Sequence, residues 1–544
     1  MSSEPEKASS SAYPTPSAPL TEPLETQDGP DQGPPLTGSG LALRFFFLAV
    51  ISALVGFLSA KKLGFGIVPG SVIGVSILGV GAFAILKLGT APKELWFTFA
   101  LKLFSVTAYK ILNSTLVLWM AADLGFSDQQ TSAMITTWAI TMSVITLLVG
   151  SITDAIGIRR TLFIGVGLCL LTRIVMISSA NPWIALTLGL FPLAAGEALC
   201  TPVLVAALRK VTTSSQRTVA FSLFYAIMNF GFMVSWFIFD SVKQQALPGG
   251  SLAIGNLSPF QTLLFTSLLV EALLLPFIFL LKRDEPAPEV GAGEVTLLQT
   301  IRASGKLAFG VFGKLVHQPG FGRLLAFLAF IGCLKVVFNV MDYVLPKFTM
   351  QELGPDVKVG RFNAINGILI LVLAPVIGML TRKASAWSMV ILGGFITAGS
   401  FLFMCLPVSV FQGMADGTLG KWIGNGYMEL KGAVHPWYVM IVLWQVVFSI
   451  GEAFYSPRVY EYASAIAPRG QEASYASLSY VPLLIGKLLN GALFGFIFTA
   501  FYPKDGPSNP SGMWTVIGGL VLVAPVGLLL LSRKIRVREE GRAC

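Results

Sequence analysis

Gly196-Glu-Ala-Leu-Cys-Thr-Pro202 recurs 255 residues downstream as Gly451-Glu-Ala-Phe-Tyr-Ser-Pro457, with Gly, Glu, Ala and Pro in register and no gap. In the same register Gln216, Ser222, Leu223, Tyr225 and Gly231 fall on Gln471, Ser477, Leu478, Tyr480 and Gly486. Chance likeness between apolar segments would not preserve Glu, Gln and Pro together. Earlier in each copy a shift of 228 carries Gly150, Thr153 and Gly165 onto Gly378, Thr381 and Gly393. The difference is absorbed by a polar stretch at 408–434, expected to be an extended outer loop. The chain is therefore an internal duplication.

Composition sets the solvent of the repeated units. Apolar residues make up 54% of the 544 and charged residues 12%, with mean hydropathy +0.73. A water-soluble domain of this size would not carry that balance. In lipid every backbone donor and acceptor must be satisfied internally. The apolar runs have helix length rather than the alternating pattern of barrel strands, so an all-α membrane protein is expected. The net charge of +10 lies in short gaps between apolar runs, not on a continuous basic face, which argues against nucleic acid as a partner. The cysteines show no metal or disulfide spacing and read as small buried residues.

About fourteen spans are expected. Eight fall near 41–60, 64–87, 96–121, 131–150, 161–180, 183–208, 217–240 and 259–281, and six near 322–346, 362–381, 386–407, 435–457, 474–500 and 512–532. Setting aside the first two leaves six plus six. The expected organisation is a disordered cytosolic tail (1–40), an accessory hairpin (41–90), an N-terminal six-helix bundle (91–281), a linker with an amphipathic helix (282–321), a C-terminal bundle (322–532) and a basic tail (533–544). With both termini cytosolic, Arg159, Arg160, Arg209, Lys210, Lys282, Arg283, Arg382, Lys383, Arg533 and Lys534 lie inside, as the positive-inside rule asks. Lys61 and Lys62 break that pattern and would fit better if the first hairpin did not span fully.

Gly150-Ser-Ile-Thr-Asp154-Ala-Ile-Gly157-Ile-Arg159-Arg160 resembles the signature between the second and third helices of major facilitator superfamily transporters. Its glycines permit close approach and a tight turn. The resemblance implies two six-helix bundles in parallel pseudo-repeat, with Asp154, Arg159 and Arg160 as a breakable latch. Within that superfamily Leu116-Val-Leu-Trp119, Leu124-Gly125-Phe-Ser-Asp128, Phe224-Tyr225-Ala-Ile-Met-Asn229-Phe-Gly231, Asn366 with Pro375, and Gly451-Glu452 with Ser456-Pro457 resemble the proton-coupled oligopeptide transporter (POT) family. Two departures stand out. Lys102, Ser105 and Val106 replace that family's acidic pair and Arg in the first core helix, and Thr201 replaces the Lys before Pro in the fourth.

Ionisable residues inside spans are costly and mark functional cavities. Lys110, Glu197, Lys335 and Glu452 lie in the four helices that line the cavity in the resembling superfamily. Each half supplies one Lys and one Glu. The glutamates are repeat-equivalent and the lysines only approximately so. The resemblance implies that Glu452 binds a substrate amino group, while Lys110 or Lys335 could bind a carboxylate. Tyr109, Asn113, Tyr225, Asn229, Asn339, Asn366 and Tyr455 could add neutral hydrogen bonds. Arg173, Glu271, Asp342, Arg458 and Lys487 are left outside the central site, some lying close enough to helix ends to reach the interface. Asn256-Leu-Ser258 fits a glycosylation sequon.

These readings predict a secondary transporter of a small polar or zwitterionic solute, peptide-like or amino-acid-like, working by alternating access and driven by protons. It would be monomeric in the plasma (inner) membrane, with lipid, solute and protons as partners and no cofactor. No P-loop or enzyme motif appears. The rival readings are a non-transporting receptor with the same fold and a facilitator or antiporter of an organic anion.

Overall fold

The computed structural model describes residues 38–61, 66–179, 181–212, 214–246, 250–252, 254–282, 321–381, 384–465, 481–503 and 507–536. Residues 1–37 of the expected tail, the expected amphipathic linker at 283–320, and 537–544 lie outside them, as does Lys62.

The described residues form helices and no strand. The accessory pair is α1 (Gly38–Lys61) and α2 (Ile67–Leu88). The first repeat is α3 (Lys93–Ala122), α4 (Asp128–Ile156), α5 (Ile158–Ser178), α6 (Pro182–Lys210), α7 (Ser214–Gln245) and α8 (Pro259–Leu280). The second opens with α9, which runs Phe321–Asn339 and continues through Val340–Val344 and Leu345–Leu353. It continues with α10 (Val359–Leu380), α11 (Ala386–Cys405), α12 (Pro436–Ala465), α13 (Val481–Phe501) and α14 (Pro510–Leu530). Among the described residues twelve helices are both long and apolar enough to cross a membrane, against about fourteen expected; α4 and α13 are of comparable length but are not among them.

Helix starts follow local chemistry. Ser127 and Gln130 form a reciprocal capping box at α4, and Ser258 and Gln261 do the same at α8. Asn181 caps α6 just before Pro182, where a missing N–H costs nothing.

Packing repeats with the sequence. In the first half α3 lies against α7 and α8, and α6 against α4 and α5; in the second α9 lies against α13 and α14, and α12 against α10 and α11. The repeated glycines make the same crossing twice. A Cβ on Gly165 would stand 3.2 Å from the Gly196 carbonyl, and one on Gly393 would stand 2.6 Å from that of Gly451. Both contacts bring backbones together where no side chain fits, which is how helices associate in lipid. Pro202 and Pro457 lie inside α6 and α12, each one turn and a half beyond a repeated glutamate.

The leading pair is two helices of full spanning length, not a partial hairpin. They cross through Gly56, Gly70 and Gly74, with the Gly70 Cβ position 2.6 Å from the Gly56 carbonyl. Phe46, Phe47 and Phe57 remain exposed, as expected of a lipid-facing helix. Arg44 donates to the Gly89 carbonyl at 2.8 Å, so α1 starts on the face where α3 starts, here the near face. The stretch at 408–434 is not an extended loop. Through 427 it is a chain of short helical turns, Val408–Phe411, Gln412–Asp416, Thr418–Lys421 and Trp422–Tyr427, on the far face. Phe411, Ile423 and Tyr427 anchor these turns in the core.

Candidate functional site

The charged residues of the spans fall into three groups. The first lies within the N-terminal half. Arg173 of α5, fully buried, donates to Glu197 of α6 at 2.6 Å and to the Ser267 hydroxyl of α8 at 3.1 Å, and faces Glu271 of α8 at 3.4 Å. Glu197 is thus joined to a guanidinium of its own half. Cys169, Cys200 and Glu271 bring ligand-type atoms within 4.8 Å of one another, but the same space holds Arg173, whose charge opposes a cation.

The second group joins the two halves. Lys110 of α3 forms an ion pair with Asp342 of α9, and the other carboxylate oxygen of Asp342 accepts from the Asn113 amide at 2.8 Å. Tyr343 donates to the Asn113 carbonyl oxygen at 2.6 Å. Two consecutive residues of α9 reach one partner because Val340–Val344 is a π-helical turn, whose extra residue per turn swings Asp342 and Tyr343 together. Lys110 also lies over the rings of Phe232 and Trp236 on α7, at 5.1 and 5.2 Å.

The repeat register explains why these residues meet. Gly231 packs on α3 at Leu103 and Val106, whereas its copy Gly486 packs on α9 at Gly332 and Lys335. The equivalent shift between α3 and α9 is therefore 229, which pairs Val106 with Lys335, Lys110 with Asn339 and Asn113 with Asp342. Lys110 and Lys335 are not repeat-equivalent. Asn113 and Asp342 are, and they bond to each other next to the pseudo-twofold axis.

The third group lies in the C-terminal half. Glu452 of α12 accepts from the Asn366 amide of α10 at 2.7 Å, and that amide also donates to Ser449 at 3.0 Å. Lys335 of α9 donates to the Ser456 hydroxyl at 3.0 Å and lies over the rings of Phe338 and Tyr455, at 4.6 and 5.2 Å. Lys335 and Glu452 act on each other electrostatically. From the other half, the Tyr225 hydroxyl reaches Ser456 and Asn229. Asn339 is buried one turn beyond Lys335 on α9.

On the far face the halves close on each other. Asp240, near the end of α7, accepts from the backbone N–H of Gly360 and of Arg361 at 2.7 and 2.6 Å, a carboxylate set on the positive end of α10. Lys347 of α9 pairs with Asp128 of α4. A Cβ on Gly360 would lie 1.9 Å from the Trp236 carbonyl, so glycine is what lets α7 and α10 touch here. Beside them Arg361 and Lys358 bind Glu429 at 2.8 and 3.1 Å. Burial pushes the Glu429 carboxyl up, but these two cations outweigh it and hold the group below the usual carboxylate range. The turn between α1 and α2 ends against the same cluster: Gly66, at φ 92°, leaves room for the Glu429 carboxylate, which a Cβ would meet at 2.1 Å.

Of the expected latch, Gly157 ends α4 at φ 86°, a conformation suited to glycine, and opens α5. Arg159 lies over the Phe279 ring at 5.9 Å and Arg160 is exposed. The side chains of Gly150's neighbour Ser151 and of Asp154 lie outside the described residues. Asn256 is exposed at a far-face turn, while Ser258 is engaged by Asp123 and by the α8 cap. A cleft of about 480 Å³ lined by Gln129, Ser132, Ala133, Gly495 and Phe496 opens on the α4/α13 seam, away from all three charged groups.

Asp342 was expected to lie outside the centre and pairs with Lys110 between the halves; Arg173, also left out, pairs with Glu197 within the N-terminal half. The signal in the sequence is charge balance, since Lys110 and Glu197, buried in spans, each call for a buried counter-ion.

The Major Facilitator Superfamily model matches residues 98–428. No curated protein matches the chain. Among solved structures, a peptide transporter POT in complex with sulfate is 18% identical with a TM-score of 0.60, the match covering 82% of this chain and 95% of that one. A bacterial homologue of the human drug peptide transporters PepT1 and PepT2 is 18% identical with a TM-score of 0.59, covering 81% and 99%. A POT family transporter in complex with 5-aminolevulinic acid is 16% identical with a TM-score of 0.60, covering 82% and 97%. At such identities the likeness is one of fold. Two pseudo-equivalent six-helix halves, an ion pair between them, and a family match over more than half of the sequence lead to one assignment: the chain belongs to the major facilitator superfamily.

Proposed function

We propose that the protein is a secondary transporter that moves a small polar or zwitterionic solute, peptide-like or amino-acid-like, by rocking its two halves about the Lys110–Asp342–Asn113 joint. The observation that carries this reading is that joint: a buried ion pair whose partners belong to different halves. An ion pair of this kind is strong only while both charges persist, so a proton on Asp342 releases Lys110 and frees the halves to part. Proton coupling then follows from one carboxylate. Of the two repeat-related glutamates, Glu452 serves the solute, while Glu197 braces the N-terminal half through Arg173. Gly157, Arg159 and Arg160 with Asp154 act as the near-face latch.

The basic residues of the near face favour a cytosolic position for that face and both termini, and the reading places the protein in the plasma membrane. The far-face contacts then close the outward path. The solved structures of like fold include complexes with a thioalcohol-conjugated peptide and with 5-aminolevulinic acid, which favours small zwitterions as the cargo class. Uptake into proteoliposomes under an imposed pH gradient tests the proposal. Accumulation of dipeptides or amino acids that collapses with the gradient is expected, and so is its loss in Asp342→Asn. Gradient-independent uptake would remove proton coupling, and no exchange of any solute would remove transport.

A further inference from the structure

We propose that the accessory pair α1/α2 is a clasp: carried by the N-terminal half, it grips Glu429 and Arg361 of the C-terminal half through the turn at Gly66 and must let go before the far face opens. The proposal rests on the alternating-access reading and adds a gate to it.

The pair is built as one body with the N-terminal half. Gly56, Gly70 and Gly74 bring its two helices into backbone contact, and the Arg44 bond to the Gly89 carbonyl ties their near ends together. α2 lies along α7, and its Ala84 and Leu88 are buried in the same apolar cluster as Leu95, Phe99 and Leu223 of that half. The turn at 89–92 then leads directly into α3.

The other end of α2 reaches across the seam. A Cβ on Gly66 would stand 2.1 Å from a Glu429 carboxylate oxygen and 3.1 Å from the Arg361 guanidinium, and both residues belong to the C-terminal half. Glu429 is held there under strain. Among the described residues it is the one non-glycine with a left-handed backbone, at φ 54°. Such strain persists only where the surroundings enforce it. Here Arg361 and Lys358 bind the carboxylate, while the Arg361 guanidinium donates to the Tyr427 carbonyl and the Tyr427 hydroxyl donates to the Arg361 carbonyl at 2.8 Å. The carboxylate is thereby fixed where only a glycine turn fits against it.

These contacts close a ring over the α7/α10 seam. Asp240 of α7 holds the start of α10, Arg361 holds Glu429, Glu429 meets Gly66, and α2 returns to α7. When the halves part at the far face, α7 and α2 go with one and α10 and Glu429 with the other, so Gly66 must leave Glu429. The pseudo-twofold carries this seam onto that of α13 and α4, where the cleft beside Gln129 and Phe496 opens instead. The clasp is an addition to one side of a symmetric core.

Spin-label distances in the full-length, cysteine-free protein test the proposal. Labels at Ser251 and Asp356 read the far gap; a label at Lys61, exposed at the end of α1, is paired with Ser251 or with exposed Lys431 of the C-terminal half. In Asp342→Asn, which frees the halves on the transporter reading, the 61–251 distance should hold while 61–431 lengthens together with 251–356. Gly66→Leu puts a side chain into a left-handed turn and into the space of Glu429, and should raise the ratio of open to closed 251–356 distances roughly tenfold. Gly125→Leu carries the same backbone penalty at φ 69° with nothing within 4 Å of its Cβ, and should keep the wild-type ratio. A 61–431 distance that holds while 61–251 lengthens, or Gly66→Leu no more open than Gly125→Leu, overturns the proposal. Opening in Gly66→Leu with Asp342→Asn still closed would refute the joint and leave the clasp standing. Opening in Asp342→Asn with Gly66→Leu still closed would do the reverse.

Discussion

Removing one partner of the Lys110–Asp342 pair should shift the protein from its far-closed form toward an opened one. The two side chains are 11% and 9% exposed, so solvent screening does little to weaken the pair. Asp342→Asn takes the counter-charge away from the buried Lys110 ammonium, and Lys110→Met takes the ammonium away from the buried Asp342 carboxylate, which keeps the Asn113 amide. Stranding a buried charge costs about 3–5 kcal/mol. That cost falls on the closed form, because parting the halves lets water reach the charge. The closed-to-open ratio should drop by roughly two to three and a half orders of magnitude. The double variant Lys110→Met/Asp342→Asn strands no charge and should recover most of the loss, with a coupling energy of about 2 kcal/mol or more. Spin labels at Ser251 and Asp356, exposed on the far face beside α7 and α10, report the gap by electron–electron resonance in a cysteine-free background. Single variants with the wild-type distance distribution, or a double variant as open as either single one, would refute the reasoning.

Arg173→Leu strands Glu197 and Glu271 together and should lower stability by about 3–5 kcal/mol, with partial rescue by Glu197→Gln, both read by thermal melting in detergent. A wild-type melt would show the cluster to be inert. Gly360→Ala places a carbon 1.9 Å from the Trp236 carbonyl and must push α7 from α10, lengthening the same 251–356 label distance; an unchanged distance would disprove the seam. Glu429 is held below its ordinary value of 4.5, so its contribution is fully present above that value and is lost as pH falls through the folded one. The melting difference between wild type and Glu429→Gln should be flat from neutral pH to about pH 5 and shrink progressively as pH falls below the ordinary carboxylate value. A difference that persists at the lower pH would contradict the ion pairs to Arg361 and Lys358.

The duplication and the helical spans were legible because lipid leaves the chain few options: backbone satisfaction forces helices, and close crossings force glycines to recur. Gly165 with Gly196 and Gly393 with Gly451 could be matched in the sequence before their contacts were known. Asp342 was harder. The apolar run of α9 fades after Val344, so the residue reads as lying near a helix end, yet the helix continues to Leu353 through a π turn that no composition announces. The partners of Arg173 were hidden for another reason, since they come from α6 and α8 and only tertiary packing brings them together. The 408–434 segment reads as a polar loop because its helical turns are only four to six residues long and are interrupted by glycines, although its buried side chains Phe411, Ile423 and Tyr427 stand at multiples of four.

A residue on a twofold axis always meets its own copy. When a gene doubles, a carboxylate there would face a second carboxylate across a few ångströms of low dielectric, and an amide would face an amide that holds no charge to switch. Asn113 against Asp342 is the smallest departure from symmetry that avoids both outcomes, one nitrogen exchanged for one oxygen. It sets one acid, Asp342, against an amide where the halves meet, with Lys110 beside it, so a lone proton is enough to tell the two halves apart.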